Sequence, residues 1–263
     1  MQSLVYDAIK TVSNNQLKIE DKLVVEAALQ ININGKAYTT VMRTPGNDSE
    51  LIRGLLYAED IYKGEHLSLE TLEKFENGFS VINAQIPKEK LGKGYLNKRT
   101  LLSVSSCGVC GKQKLEDVIV SGDSITIKNH LKLSFIKGLF QQMKLQQALF
   151  QSTGGSHATA AFDKNGFLLS IMEDIGRHNA LDKVVGELLN KNKLKEIACI
   201  LVSGRVSYEI VSKAFIAKIP MIVAVSACSS LAVDFAKEFG ICLIGFSRDD
   251  KSTIYANPQH LEL

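Results

Sequence analysis

IACILVSGRVSYEIVSKAFIAKIPMIVAVSACSSLAVDFAKEFGICLIGF, Ile197 to Phe246, decides the fold. Three short apolar runs, Ile197 to Val202, Met221 to Val225 and Ile241 to Phe246, are too short for helices and read as strands. Between them lie segments of helical spacing, from about Ser207 to Ala217 and from about Ser229 to Phe239. Strands separated by single helices imply a largely parallel sheet with helices packed on it. Upstream, a helix is expected from about Arg177 to Leu189. Before it, HATAAFD and FLLSIM flank Lys164-Asn165-Gly166 and predict a β-hairpin. Earlier still, FIKGLFQQMKLQQALF places Phe135, Leu139, Phe140, Met143 and Leu149 at helical spacing. The fold class is therefore α/β, in the order helix, β-hairpin, βαβαβ.

The N-terminal part reads as mainly β. Leu29, Ile31 and Ile33 alternate with polar neighbours, as do Ala37, Thr39 and Val41. The Asn34-Gly35 pair between them is a strong hairpin signal. In RTPGNDSELIRGLLYAED, Asp48 or Ser49 can cap a helix whose apolar stripe is Leu51, Ile52, Leu55 and Leu56. Leu101 to Val104 looks like a strand leading into a Cys-x-x-Cys loop. We expect an N-terminal α+β subdomain over 1–130, ending in that loop, and an α/β core over 131–263.

The 263 residues suffice for a sizeable core. With 31 basic and 28 acidic residues, the charge is too balanced to imply nucleic acid or membrane as partner. The first twenty residues lack the apolar core of a signal peptide. No apolar run is long enough to span a bilayer. Five cysteines, an odd number, fit a reducing, cytoplasmic setting without structural disulfides.

Polar residues gather just past the strand ends: STGGSHA, EDIGRHNALDK, SGRVSYE, SACSS and FSRDDK. That edge is where α/β sheets bind ligands, and helix N-termini there suit phosphate. Arg177, Lys183, Arg205 and Arg248 would add cations. Taken singly, each turn has an equally good backbone explanation. His178 alone reads as a cap, with Asp174 and Asp182 as its helix-turn pairs.

SSCGVCGK, Ser105 to Lys112, holds two thiols in a glycine-rich stretch. A structural zinc site needs four ligands, and Cys199, Cys228 and Cys242 are single and lie in or beside apolar strands. The His-x-Glu and Pro-Cys-x-x-Cys pattern of zinc deaminases is missing. So is the proline that accompanies thioredoxin-like thiols. Sulfur carriage is the third option: a nucleophilic thiolate takes a sulfane sulfur as a persulfide, with Lys112 and Lys114 favouring the thiolate.

SSCGVCGK, EDIGRHNALDKVVG, SGRVSYEIVSKA, SACSSLAV and RTPGNDSELIRGLLYAE together resemble the formate dehydrogenase accessory sulfurtransferase family, often called FdhD, from about Glu26 to Tyr255. The resemblance implies a cytidine-deaminase-like core. It implies a sulfurtransferase, required for formate dehydrogenase, that takes sulfur from a cysteine desulfurase. The sulfur goes to the molybdenum cofactor in its bis-molybdopterin guanine dinucleotide form, which is bound as substrate. The persulfide cysteine falls on Cys107, with Cys110 as its partner in catalysis. The cofactor-contacting segment falls on Phe246, Ser247, Arg248, Asp249, Asp250 and Lys251. Family members are expected to be homodimers. This chain departs from the family by having Cys228 where proline is expected.

With the resemblance in place, the polar edge becomes a site for the guanine nucleotide end of the cofactor. His157, Arg177, His178, Asn179, Lys183, Ser203 and Arg205 join the segment 246–251. Asp249 or Asp250 can accept from guanine N1–H and its amine, with Phe246 beside the base. Two rivals differ in class: a thiol–disulfide oxidoreductase using both thiols, and a non-catalytic cofactor chaperone.

Overall fold

A computed structural model describes residues 1–96, 122–126, 131–248 and 251–262. The chain opens with an antiparallel ribbon, β1 (Ser3–Val12) and β2 (Asn15–Val24), turned at Ser13 and Asn14, both with positive φ. Leu4, Tyr6, Val12, Leu17 and Leu23 stand exposed along one side of it. A four-stranded sheet follows, in the order β4-β3-β6-β5. It comprises β3 (Ala27–Ile33), β4 (Lys36–Arg43), β5 (Ser68–Lys74) and β6 (Ser80–Gln85). The Asn34-Gly35 turn forms as expected, with φ of 51° and 79° suited to a primed two-residue hairpin. Leu29, Ile31 and Ile33 bury one face of this sheet against Leu51, Ile52, Leu55 and Leu56 of α1 (Asp48–Ala58).

The second half opens with β7 (Leu131–Lys132), α2 (Leu133–Gln146) and α3 (Ala148–Thr153). The hairpin β8 (His157–Phe162) and β9 (Leu168–Asp174) comes next. It is followed by α4 (Arg177–Asn190), β10 (Cys199–Val202), α5 (Tyr208–Ile216), β11 (Met221–Ala224) and α6 (Ser230–Phe239). The chain closes with β12 (Cys242–Arg248), β13 (Lys251–Ala256) and β14 (Leu261–Glu262), the last pairing with β7. This is the order expected from the sequence. The six-stranded sheet runs β13-β12-β11-β10-β8-β9. The boundary placed near residue 130 adjoins residues 127–130, which lie outside the described residues, as does the strand placed at Leu101 to Val104.

Side chains alternate faces along each strand. Ile200, Val202, Ile222, Ala224 and Leu243 meet α4, α5 and α6 on one face. Cys199, Leu201, Met221, Val223, Cys242 and Ile244 meet Ile136, Leu139 and Met143 of α2 on the other. Both faces are apolar, so the runs look continuous in sequence.

Three expectations change. The sheet is mixed: β10, β11 and β12 are parallel, while β8, β9 and β13 run antiparallel to their neighbours. The long helix beginning near Phe135 is two helices, broken at Gln147. The break is set from β9, because both Glu173 carboxylate oxygens accept from the Leu149 and Phe150 amides at 2.8 Å, capping a new helix start. The last strand continues past Phe246 to Arg248, and Lys251 opens a further strand.

Helices α1 and α4 touch backbone to backbone. A Cβ on Gly54 would sit 1.9 Å from the Asp182 carbonyl oxygen, and one on Gly186 would sit 1.9 Å from that of Glu50. Beside this crossing, Lys183 Nζ lies 2.7 Å from Asp174 Oδ2 and donates to Thr44 O at 3.0 Å. The Thr44 amide donates to Asp174 Oδ2, and Asn179 Nδ2 donates to Asp174 Oδ1 and to Met42 O. Both charges are fully buried, and their neighbours satisfy them, as burial requires. This joint locks the Arg43–Gly46 turn to the core.

Candidate functional site

Strand direction brings one end of five strands together. His157 opens β8 opposite Asp174 at the close of β9, Ser203 and Val225 follow β10 and β11, and Ser247 and Arg248 close β12. At this edge, on the face covered by α2, lies a groove of about 1480 Å³. Its walls carry His157, Ser203, Ser247 and Arg248, all expected site residues, together with residues from α2 and α3. Lys132 of β7 and Lys137 and Lys144 of α2 add cations, with Glu262 the carboxylate among the lining residues. Phe140 and Phe150 supply aromatic surface. Such a groove suits an elongated anion that also carries a flat ring.

Local bonds shape this edge. Ser203 Oγ accepts from the Ala158 amide at 2.9 Å, fixing β8 against β10. Arg248 Nε donates to Val225 O at 2.9 Å, which holds the guanidinium across the ends of β11 and β12. Ser247 and Ser252 share a hydroxyl contact of 2.9 Å. Gly204 lets His157 and Arg177 close on one point: a Cβ there would lie 3.2 Å from His157 Nδ1 and 3.3 Å from Arg177 Cδ. Burial, then the charges of Arg177 and Arg205, push the His157 pKa down, against a smaller opposing pull from Asp174. His157 is therefore a neutral imidazole at pH 7, beside two guanidinium groups.

Phe246 sits in a bulge of β12 at φ 50°, a conformation that a bulky residue adopts only when its surroundings impose it. It is 48% exposed at the same edge but does not line the groove. Lys251 is exposed and pairs in register with Arg248. Asp249 and Asp250 lie outside the described residues, as do Cys107 and Cys110.

Asn179 and Lys183 turn away from the edge into the joint at Thr44, where Asp174 holds both. His178 is buried as well. Its ring faces Ser207, just before α5, and Glu209 in its first turn, while Asp174 and Asp182 pair instead with Lys183 and Lys213. The spacing of four along the chain is overridden because the lysines reach these carboxylates from the buried side.

The three cysteines among the described residues are protonated thiols at neutral pH. Burial raises Cys199 and Cys242 to about 12 and half-buried Cys228 to about 11. Cys228 lies at the ligand edge, where a Cβ on Gly245 would come 3.0 Å from its sulfur.

The sequence pattern of the FdhD/NarQ family matches residues 24–262. The chain belongs to that family. It is 39% identical over 246 residues to a protein named sulfur carrier protein FdhD from Sulfolobus acidocaldarius, covering 93% of this chain and 92% of that one. It is 36% identical over 264 residues to the protein of the same name from Nocardia farcinica, covering 96% and 92%. The crystal structure of a putative formate dehydrogenase accessory protein from Desulfotalea psychrophila shares the fold, with a TM-score of 0.77 over the full length of both chains and 22% identity. The FdhD/NarQ match spans every element that builds the groove. The α2 face of the groove was legible only as a helix; Lys137, Gln141 and Lys144, spaced four and three apart, are the polar stripe that marks it. Ser207 and Glu209 were hidden inside SGRVSYE as a helix start.

Proposed function

We propose that the protein is a sulfur carrier serving formate dehydrogenase. A cysteine desulfurase loads Cys107 with a persulfide, and the sulfur passes to the molybdenum cofactor bound as substrate in the groove. The observation that carries this reading is the basic, aromatic-lined groove at the sheet edge of a chain whose relatives are named sulfur carriers. Lys132, Lys137, Lys144 and Arg248 supply charge for the pyrophosphates of a dinucleotide. Ser247 and Arg248, which line the groove, support a role in cofactor contact for this end of β12. Burial raises the pKa values of Cys199, Cys228 and Cys242, which supports assigning the transfer to Cys107 and Cys110 instead. Cys110 attacks or relays the persulfide from its position three residues along the chain. We further propose a twofold homodimer, to which the apolar side of the β1–β2 ribbon contributes; light scattering reporting a monomer of 28.9 kDa would refute it.

The deciding experiment is intact mass spectrometry after incubation with a cysteine desulfurase and cysteine. One added sulfur on Cys107 is expected, absent in Cys107→Ala and transferable to a cofactor-bearing acceptor. An unmodified chain, or sulfur that maps only to another cysteine, overturns the reading.

A further inference from the structure

Helices α5 and α6 both begin with serine after a strand, but their caps differ. At α6, Ser229 does what an N-cap serine ordinarily does: its hydroxyl accepts from the Ala232 amide at 3.2 Å. At α5, Ser207 makes no such bond. Its Oγ is turned instead to His178 Nε2, 3.2 Å away. On the far side of the ring, His178 Nδ1 lies 3.3 Å from Glu209 Oε2. Glu209 is held in turn from behind, where Lys213 Nζ stands 3.6 Å from Oε1 and 2.5 Å from Asp182 Oδ2.

The order hydroxyl, imidazole, carboxylate has chemical consequences. A carboxylate at Nδ1 favours the tautomer with the proton on Nδ1, which leaves the Nε2 lone pair to accept from Ser207. His178 is 2% exposed, so water does not compete for it. Ser207 is part-exposed, and Arg205, two residues earlier, is exposed on the same side of the segment while Val206 between them is buried. A base shielded from solvent, with a carboxylate oxygen 3.3 Å from one ring nitrogen and a part-exposed hydroxyl 3.2 Å from the other, approaches the arrangement that activates a serine. Ser207 also sits at the positive end of α5, which stabilises negative charge developing beside it.

We propose that Ser207, His178 and Glu209 form an activated-serine site that cleaves an anionic carboxylic ester or thioester. Ser207 Oγ bonds to the carbonyl carbon as its proton passes to His178 Nε2. The tetrahedral intermediate collapses with loss of the C–O or C–S bond, and His178 returns the proton to the leaving alcohol or thiol. Water then attacks the acyl-serine with the same base, releasing the acid and restoring Ser207. No electron is gained or lost. Arg205 and Arg177 select a substrate carrying negative charge. Glu209 is a positioning residue. Neither thiol of the Cys-x-x-Cys pair takes part, so the proposal stands apart from the sulfur-carrier reading.

The test is labelling of the folded full chain with a fluorophosphonate probe, read by intact mass and peptide mapping. One adduct on Ser207 is expected, absent from the denatured chain, with none on Ser229. Glu209→Gln slows labelling by roughly 10²–10⁴-fold. It also moves the rise of labelling rate with pH to lower pH, since loss of the carboxylate eases deprotonation of His178; Arg177 on the same helix and the Lys213–Asp182 pair behind stay in place. A role in packing alone would leave that inflection unmoved. Hydrolysis of 4-nitrophenyl hemisuccinate is expected to exceed that of 4-nitrophenyl acetate and to vanish in Ser207→Ala. No adduct on Ser207 in the folded wild type, equal labelling of Ser229, or a wild-type rate and inflection in Glu209→Gln would overturn the proposal. Equal rates with the two esters would overturn its anionic specificity.

Discussion

The six-stranded sheet has two apolar faces that end differently. Against one, α4, α5 and α6 close a continuous core, and the polar residues beside it are tied to one another: Asp174 to Lys183, Asp182 to Lys213. Against the other lies α2, and at its end the sheet edge stays open as a groove lined by Lys132, Lys137, Lys144 and Arg248. Charge enclosed in the helix-packed half must be matched locally, because burying an unmatched ion is too costly. Charge around the groove, on Lys132, Lys137, Lys144 and Arg248, stays exposed to water. The difference separates the ion pairs that hold the helix-packed half together from the cations that line the groove.

The largest effect should come from breaking the closed side. Lys183→Met leaves Asp174 buried without its ion and is expected to cost about 3–5 kcal/mol. This would be read as a lower urea midpoint at unchanged slope. A shift below 1 kcal/mol would show that the joint is not what locks the Arg43–Gly46 turn.

The open side should behave in reverse. GDP, as the nucleotide end of the proposed substrate, at about a hundred times its dissociation constant would add roughly 2.7 kcal/mol. That corresponds to a rise in melting temperature of roughly 5–11 °C for a chain near this size. Replacing Arg248 with Ala and Lys144 with Gln should leave the unliganded melting temperature near wild type and remove most of that rise. ADP should give a smaller rise than GDP if Asp249 or Asp250 reads the guanine edge. Equal loss with and without ligand would place these cations in the fold instead.

The thiols sharpen the comparison further. At pH 7, iodoacetamide should leave Cys199, Cys228 and Cys242 unmodified in the folded chain, with Cys228 reacting first as the pH approaches about 11. Peptide mapping that finds Cys228 alkylated at neutral pH would make it a candidate for the transfer step.

The smallest effect concerns His157. Its folded pKa lies below the ordinary value of 6.5. The unfolded chain therefore binds the proton more readily, and stability rises with pH through the window at and just below 6.5. Acidification through that window should lower the melting temperature slightly, and His157→Gln should flatten the slope. A nucleotide in the groove should also weaken it, since its phosphates make protonation of His157 easier.

Much of this was legible in the chain. Asn34-Gly35 dictated its hairpin because the turn needs positive φ at both positions, and the runs at Cys199, Met221 and Cys242 dictated strands buried on both faces. The gathering of His157, Ser203, Ser247 and Arg248 at one edge followed from the order of strands and helices, since each stands just past or at a strand end. Local pattern also determined that Ser207 begins a helix. It could not determine where the hydroxyl points, because His178 lies twenty-nine residues away and meets it only when α4 and α5 pack side by side. The break at Gln147 was equally hidden, being made by Glu173 from a neighbouring strand. So was the fate of Asn179 and Lys183, whose polar heads look free in sequence and are claimed by Asp174 and the turn at Thr44. Backbone propensity and hydrophobic period act over a few residues and specify elements. The partner of a polar side chain is chosen by burial across elements, where any unmatched group would be costly, and only tertiary packing makes that choice.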